Sequence, residues 1–71
     1  MTETQRKAFC RNIKHLLVDT DVTQREIASA AGVSEQFLSA VLAGKKKPSL
    51  DIAMTIANKL GVTIDDLVKV R

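Results

Sequence analysis

The chain has 71 residues, room for one domain and not two, and at this length folding hides only about 60 to 65% of the unfolded surface. Apolar residues are 45% of the chain and aromatics only 3%, so the core must be built from Ile, Leu, Val and Ala, with Phe9 the expected large anchor. A net charge of +3, one cysteine and one histidine exclude an internal disulfide and a cysteine-rich metal site, and no apolar run approaches the roughly 18 residues that cross a bilayer.

The first element is expected to be a helix from about Thr2–Thr4 to about Val18. Phe9, Ile13, Leu16 and Leu17 mark its buried face, with Ala8 or Cys10 at the border, and Arg6, Lys7, Arg11 and Lys14 lie on the other. Thr2 and Gln5 are spaced for a capping box. Asp19, Thr20 and Asp21 then break the apolar pattern with residues that favour turns. His15 and Cys10, with no partner acid, base or metal cluster, are assigned surface or boundary positions on this helix.

Two short helices follow, at about 24–31 and 35–43. Ile27, Ala28 and Ala31 share one face of the first; Leu38, Val41 and Leu42 share one face of the second. Thr23 with Glu26 is a capping box, Val22 is placed to pack on Ile27 as a hydrophobic staple, and Ser34 is a favourable N-cap. Gly32 between the helices supplies the positive backbone angle that ends a helix without a side-chain clash, so a sharp corner is expected. Two amphipathic helices on a tight glycine turn suggest a helix-turn-helix.

After Gly44 comes the loop Lys45-Lys46-Lys47-Pro48. A fourth helix is expected from Ser49 through Leu50, Ala53, Ile56, Ala57 and Leu60 to Gly61. Thr63 with Asp66 makes another capping box, opening a short fifth helix that bears Ile64, Leu67, Val68 and Val70. The expectation is an all-α, compact five-helix fold in a single helix-turn-helix domain over 1–71, with a basic region, away from the acidic Asp65-Asp66 end, that favours a polyanion partner.

Over about residues 8 to 68 the chain resembles the Cro and phage-repressor type of helix-turn-helix, the XRE family. The resemblance is carried by Ile27, Ala28, Ala31, Gly32, Val33, Leu38 and Val41, by the loop Gly44-Lys45-Lys46-Lys47-Pro48-Ser49-Leu50, and by the tail LGVTIDDLV. It implies a lambda-repressor-like fold in which the third helix lies in the major groove and the second rests its N-terminus on phosphate. The chain departs from some relatives where they pair a basic residue late in helix 1 with an acidic one in helix 3. Leu17 and Leu42 stand there, which assigns Leu42 to the core.

On that resemblance Ser34, Glu35, Gln36, Ser39 and Ala40 are the candidate base-reading residues. Gln36 leads, because a carboxamide bonds adenine N6 and N7 together. Glu35 has two readings, stabilising the helix dipole or accepting from cytosine N4; Ala40 and Ala43 offer only methyl contacts or clearance. Phe37 either packs over the turn or touches a base methyl. Thr23, Gln24, Lys45, Lys46 and Lys47 are the candidate phosphate-binding residues, Thr23 being equally explained as a cap and Gln24 as a solvated helix residue.

The function expected is a sequence-specific regulator of transcription, a repressor binding double-stranded DNA as a homodimer, with Leu67, Val68 and Val70 as the dimer surface or else simply closing the monomer. The alternative is a protein-interaction module, such as an antitoxin or adaptor, that retains the fold. No cofactor, membrane contact or small-molecule ligand is expected, no catalytic constellation is present, and the location expected is cytoplasmic.

Overall fold

A computed structural model describes residues 1–70. Five helices make up its regular structure: α1 (Glu3–Asp19), α2 (Gln24–Ala31), α3 (Glu35–Leu42), α4 (Leu50–Leu60) and α5 (Ile64–Val68). The all-α expectation holds, and the boundaries fall within a residue or two of those expected. α1 runs one residue further, to Asp19, and Ala43 caps α3 instead of belonging to it. Residue 71, the last of the expected domain, lies outside the described residues.

Each helix begins where a hydroxyl satisfies an otherwise unbonded N–H group. Thr2, Thr23 and Thr63 each form a full capping box, with Gln5, Glu26 and Asp66 respectively. Ser34 and Ser49 cap α3 and α4 by accepting from the N–H groups of Phe37 and Ile52. α2 ends where Gly32 turns to φ 69°, and α3 closes just before Gly44 at φ 80°. At the first corner the Val33 N–H reaches back to the Ala28 carbonyl at 3.0 Å, and at the second the Lys45 N–H reaches Ala40 at 2.9 Å. Both are six-to-one bonds of a Schellman ending, for which a left-handed glycine is the low-strain residue.

The core is aliphatic around one ring, as composition requires. Phe9, Ile13, Ile27, Val41, Ile56 and Leu67 are fully enclosed and Leu38 nearly so. At about 1.5 to 3 kcal/mol for each large apolar side chain, burial of this set is the main term opposing chain entropy. α1 packs on α5 and α3, α2 on α4 and α3, and α4 on α5, so every helix has at least two neighbours. Leu42 is buried and Leu17 packs partly buried against the same cluster, as the apolar substitution for an ion pair implies.

Two expectations need correction. Ala8 and Cys10 do not border the core; both are inside it, at 2% and 8% exposure. Cys10 packs there as a small apolar side chain whose thiol donates to the Val41 carbonyl at 3.2 Å, tying α1 to the C-terminal turn of α3. Burial raises the thiol above its ordinary pKa, more than the positive charges of Lys14 and Arg6 lower it. Val70 is not part of α5, which ends at Val68 before an extended Lys69. For Leu67, which is fully enclosed, the second of its two expected readings holds: it closes the monomer.

A contact that no local pattern announces holds α5 in place. The Asn12 side-chain amide on α1 donates to the carbonyls of Leu67 at 2.7 Å, Lys69 at 3.2 Å and Asp66 at 3.4 Å. A five-residue helix cannot satisfy its own last carbonyls, and Asn12 does so from a different element.

Candidate nucleic-acid interface

α3 is divided lengthwise. Leu38, Val41 and Leu42 point into the core, while Ser34, Glu35, Gln36, Ser39 and Ala43 are exposed and Ala40 is half-buried. The five candidate reading residues therefore share the surface-facing side of one helix. Phe37 is half-buried and packs against the core, with the Lys46 ammonium 5.6 Å from its ring centroid. That is within cation–π range. It restrains the first part of the lysine loop, whose three lysines are all exposed.

The N-terminus of α2 lies beside this surface. The Thr23 hydroxyl accepts from the Glu26 N–H at 3.1 Å, and the Glu26 carboxylate accepts from the Thr23 N–H at 3.3 Å. With the Ile27 N–H bonded to the Thr23 carbonyl, the backbone N–H groups of Gln24 and Arg25 are left facing outward at the positive end of the helix. Such a pair suits a phosphate oxygen. Thr23 is thus a cap in this structure, its oxygen already accepting a bond.

Two exposed contacts join α2 to α3. The Gln24 side-chain amide donates to the Ser39 hydroxyl oxygen at 2.5 Å. The Arg25 guanidinium lies 3.8 Å from the Glu35 carboxylate, both side chains being largely solvated. An ion pair this exposed adds less than about 1 kcal/mol to stability. Its local effect is electrostatic: Arg25 offsets a negative charge that would otherwise repel phosphate. Gln36, by contrast, makes no side-chain hydrogen bond among the described residues, which leaves its carboxamide free.

Sequence reasoning missed Arg25, whose position one residue past Gln24 in the first turn of α2 was the available signal. It also placed Arg6 only on a basic helix face. Arg6 and Lys47 instead line one hollow together with Met1, Thr2, Glu3 and Pro48, so the N-terminal turn of α1 and the lysine loop form a shared basic rim. His15 is on the surface, in a groove between α1 and α5 with Arg11, Asn12, Asp19 and Lys69. Among the described residues no group of acidic, histidine and cysteine side chains is arranged to hold a metal, and no helix is long and apolar enough to cross a membrane.

The glycine corner between α2 and α3, the exposed outer side of α3 and the surrounding three helices define a lambda-repressor-like helix-turn-helix domain. A family profile described as helix-turn-helix matches residues 13–67. The chain belongs to this family, of the Cro and phage-repressor type.

Curated relatives agree. The chain is 43% identical over 47 residues to the uncharacterized HTH-type transcriptional regulator MJ0272 of Methanocaldococcus jannaschii, covering 66% of this chain and 71% of that protein. It is 32% identical over 63 residues to the uncharacterized HTH-type transcriptional regulator y4dJ of Sinorhizobium fredii, covering 89% and 82%. It is 30% identical over 61 residues to the HTH-type transcriptional regulator DdrOP3 of Deinococcus deserti, covering 86% of this chain but 47% of the relative. The chain thus spans about half the length of that relative. No solved structure matches it.

Proposed function

We propose that this chain is a transcriptional regulator that binds double-stranded DNA in a sequence-specific manner, acting as a repressor on a palindromic operator as a homodimer. The observation that carries the reading is the outer face of α3, where the free Gln36 carboxamide is exposed on the same helix as Glu35 and Ser39, which contact the α2 N-terminus. In this arrangement α3 enters the major groove, and Gln36 pairs with adenine, the contact best suited to its chemistry. Ser34, Glu35 and Ala40 surround that contact. Gln24 and Lys45, Lys46 and Lys47 hold the backbone and set affinity more than sequence preference.

Few polar side chains face outward on α3, so one copy distinguishes only a few base pairs. Two copies on half-sites about 34 Å apart supply the remainder. With Leu67 committed to the monomer core, the dimer surface at this end reduces to Val68, which is half-buried, and Val70, which is 54% exposed.

Selection of bound duplexes from a random pool tests the reading. The expected product is a two-fold symmetric site; an unrelated set of sequences with no salt-dependent affinity would reject it. A second reading, an antitoxin or adaptor that keeps the fold, is favoured by Ala40 and Ala43 at positions where a polar side chain would read bases. That reading requires the purified chain to bind neither random DNA nor its own upstream region.

A further inference from the structure

We infer that Ser39 is a positioning residue for the backbone contact made by Gln24, and not a reader of bases. The inference rests on the DNA-binding reading above and assigns Ser39 a different role from the one its place on α3 implies. Three observations carry it. Ser39 lies on the second turn of α3, and its hydroxyl oxygen is already accepting from the Gln24 amide across the corner. Gln24 is the first residue of α2, next to the unbonded N–H groups of Gln24 and Arg25. Gln24 is half-buried, and this is the one side-chain hydrogen bond its carboxamide makes among the described residues.

A carboxamide has two N–H donors and one carbonyl acceptor. Ser39 takes one donor, which leaves the second uncommitted on the residue that opens α2, where the two backbone donors also lie. The three then form a single neutral cluster suited to one phosphate oxygen. A free glutamine side chain would have to be immobilised when DNA binds, at a cost in affinity. Held by Ser39 beforehand, it is ordered before the encounter. The benefit is independent of sequence, because phosphate is present at every step of the duplex. Reading a base through Ser39 would require this bond to be broken or shared, so the reading set contracts towards Gln36.

The experiment compares the unsubstituted chain with Ser39→Ala, Gln24→Ala, the double variant and Ser39→Thr. Each is titrated against a random-sequence duplex and against the pool enriched by the unsubstituted chain, over a series of salt concentrations. Ser39→Ala is expected to weaken binding to both DNAs by the same factor, about three- to tenfold. It leaves the salt slope unchanged because no charge is removed. It adds nothing in the Gln24→Ala background, and Ser39→Thr, which keeps the hydroxyl, restores most of the affinity.

Loss confined to the enriched pool would make Ser39 a base reader and overturn the inference. Additive effects of the two alanine substitutions, or no effect of Ser39→Ala, would overturn it equally. Failure of the unsubstituted chain to bind either DNA would reject the DNA-binding reading itself, an outcome distinct from the others. Far-UV circular dichroism on each variant reports whether the fold is kept, which is expected because Ser39 is exposed.

Discussion

Two of the places where side chains tie helices of this domain together differ in kind. At the α1–α5 end, Leu67 is fully enclosed and Asn12 satisfies three backbone carbonyls. At the α2–α3 corner, the outer contacts are an exposed hydrogen bond and a solvated ion pair. Contacts of the first kind are costly to break, since they leave a cavity or an unsatisfied polar group. Those of the second kind lie in solvent and add little to folding stability, but they can order side chains ahead of a ligand. Stability is concentrated at one end, and the other presents a surface whose side chains are positioned by exposed contacts.

Substitutions break this contrast in a graded way. Leu67→Ala is expected to have the largest effect, a loss of about 2 to 5 kcal/mol of folding stability, measured by urea denaturation. Replacing Lys45, Lys46 and Lys47 together with Ala should leave that stability nearly unchanged. It should weaken binding to selected and random DNA alike and flatten the slope of log K against log salt by up to about 2.7. An unaltered slope would remove the loop from the contact surface.

Asn12→Ala is expected to cost about 0.5 to 1.5 kcal/mol, the net worth of its part-buried bond to the Leu67 carbonyl, because the Asp66 and Lys69 carbonyls are solvent-accessible. Its effect should appear first as faster amide exchange in α5. The smallest effect is that of pH on the same helix. Hydrogen bonds from the Thr63 backbone and then its hydroxyl hold the Asp66 carboxyl below the usual aspartate range. Because folding lowers this pKa, the ionised group supports α5 at all pH values above the unfolded range. That support disappears as pH falls through the lowered folded value. Carboxyl titration followed by NMR should find Asp66 below the usual aspartate range, and Thr63→Val, which removes the hydroxyl but keeps the backbone donor, should raise it only part of the way.

Much of the architecture was legible locally. The capping boxes at Thr2, Thr23 and Thr63, the serine caps and the glycine endings are relationships within three to six residues, so the helices could be placed without knowing their neighbours. The site was legible only in outline. Which residues of α3 face outward follows from subtracting the apolar face, and the lysine run is visible as composition. Whether an outward residue is free is a different matter, since Gln36 and Ser39 look alike in a helical pattern. They differ because Gln24, fifteen residues before Ser39, bonds one and not the other.

By itself the sequence determined the helices, their caps, the aliphatic core and the helix-turn-helix corner, because all of these depend on periodicity and short-range hydrogen bonding. Only the tertiary structure decided that Cys10 turns inward to Val41, that Leu67 closes the monomer, that Asn12 anchors α5, and that Arg6 and Lys47 line one hollow. These pairings join residues about thirty to sixty positions apart along the chain. Their partners are selected by how five helices fill a common core, a condition that packing imposes on all of them at once and that no local pattern encodes.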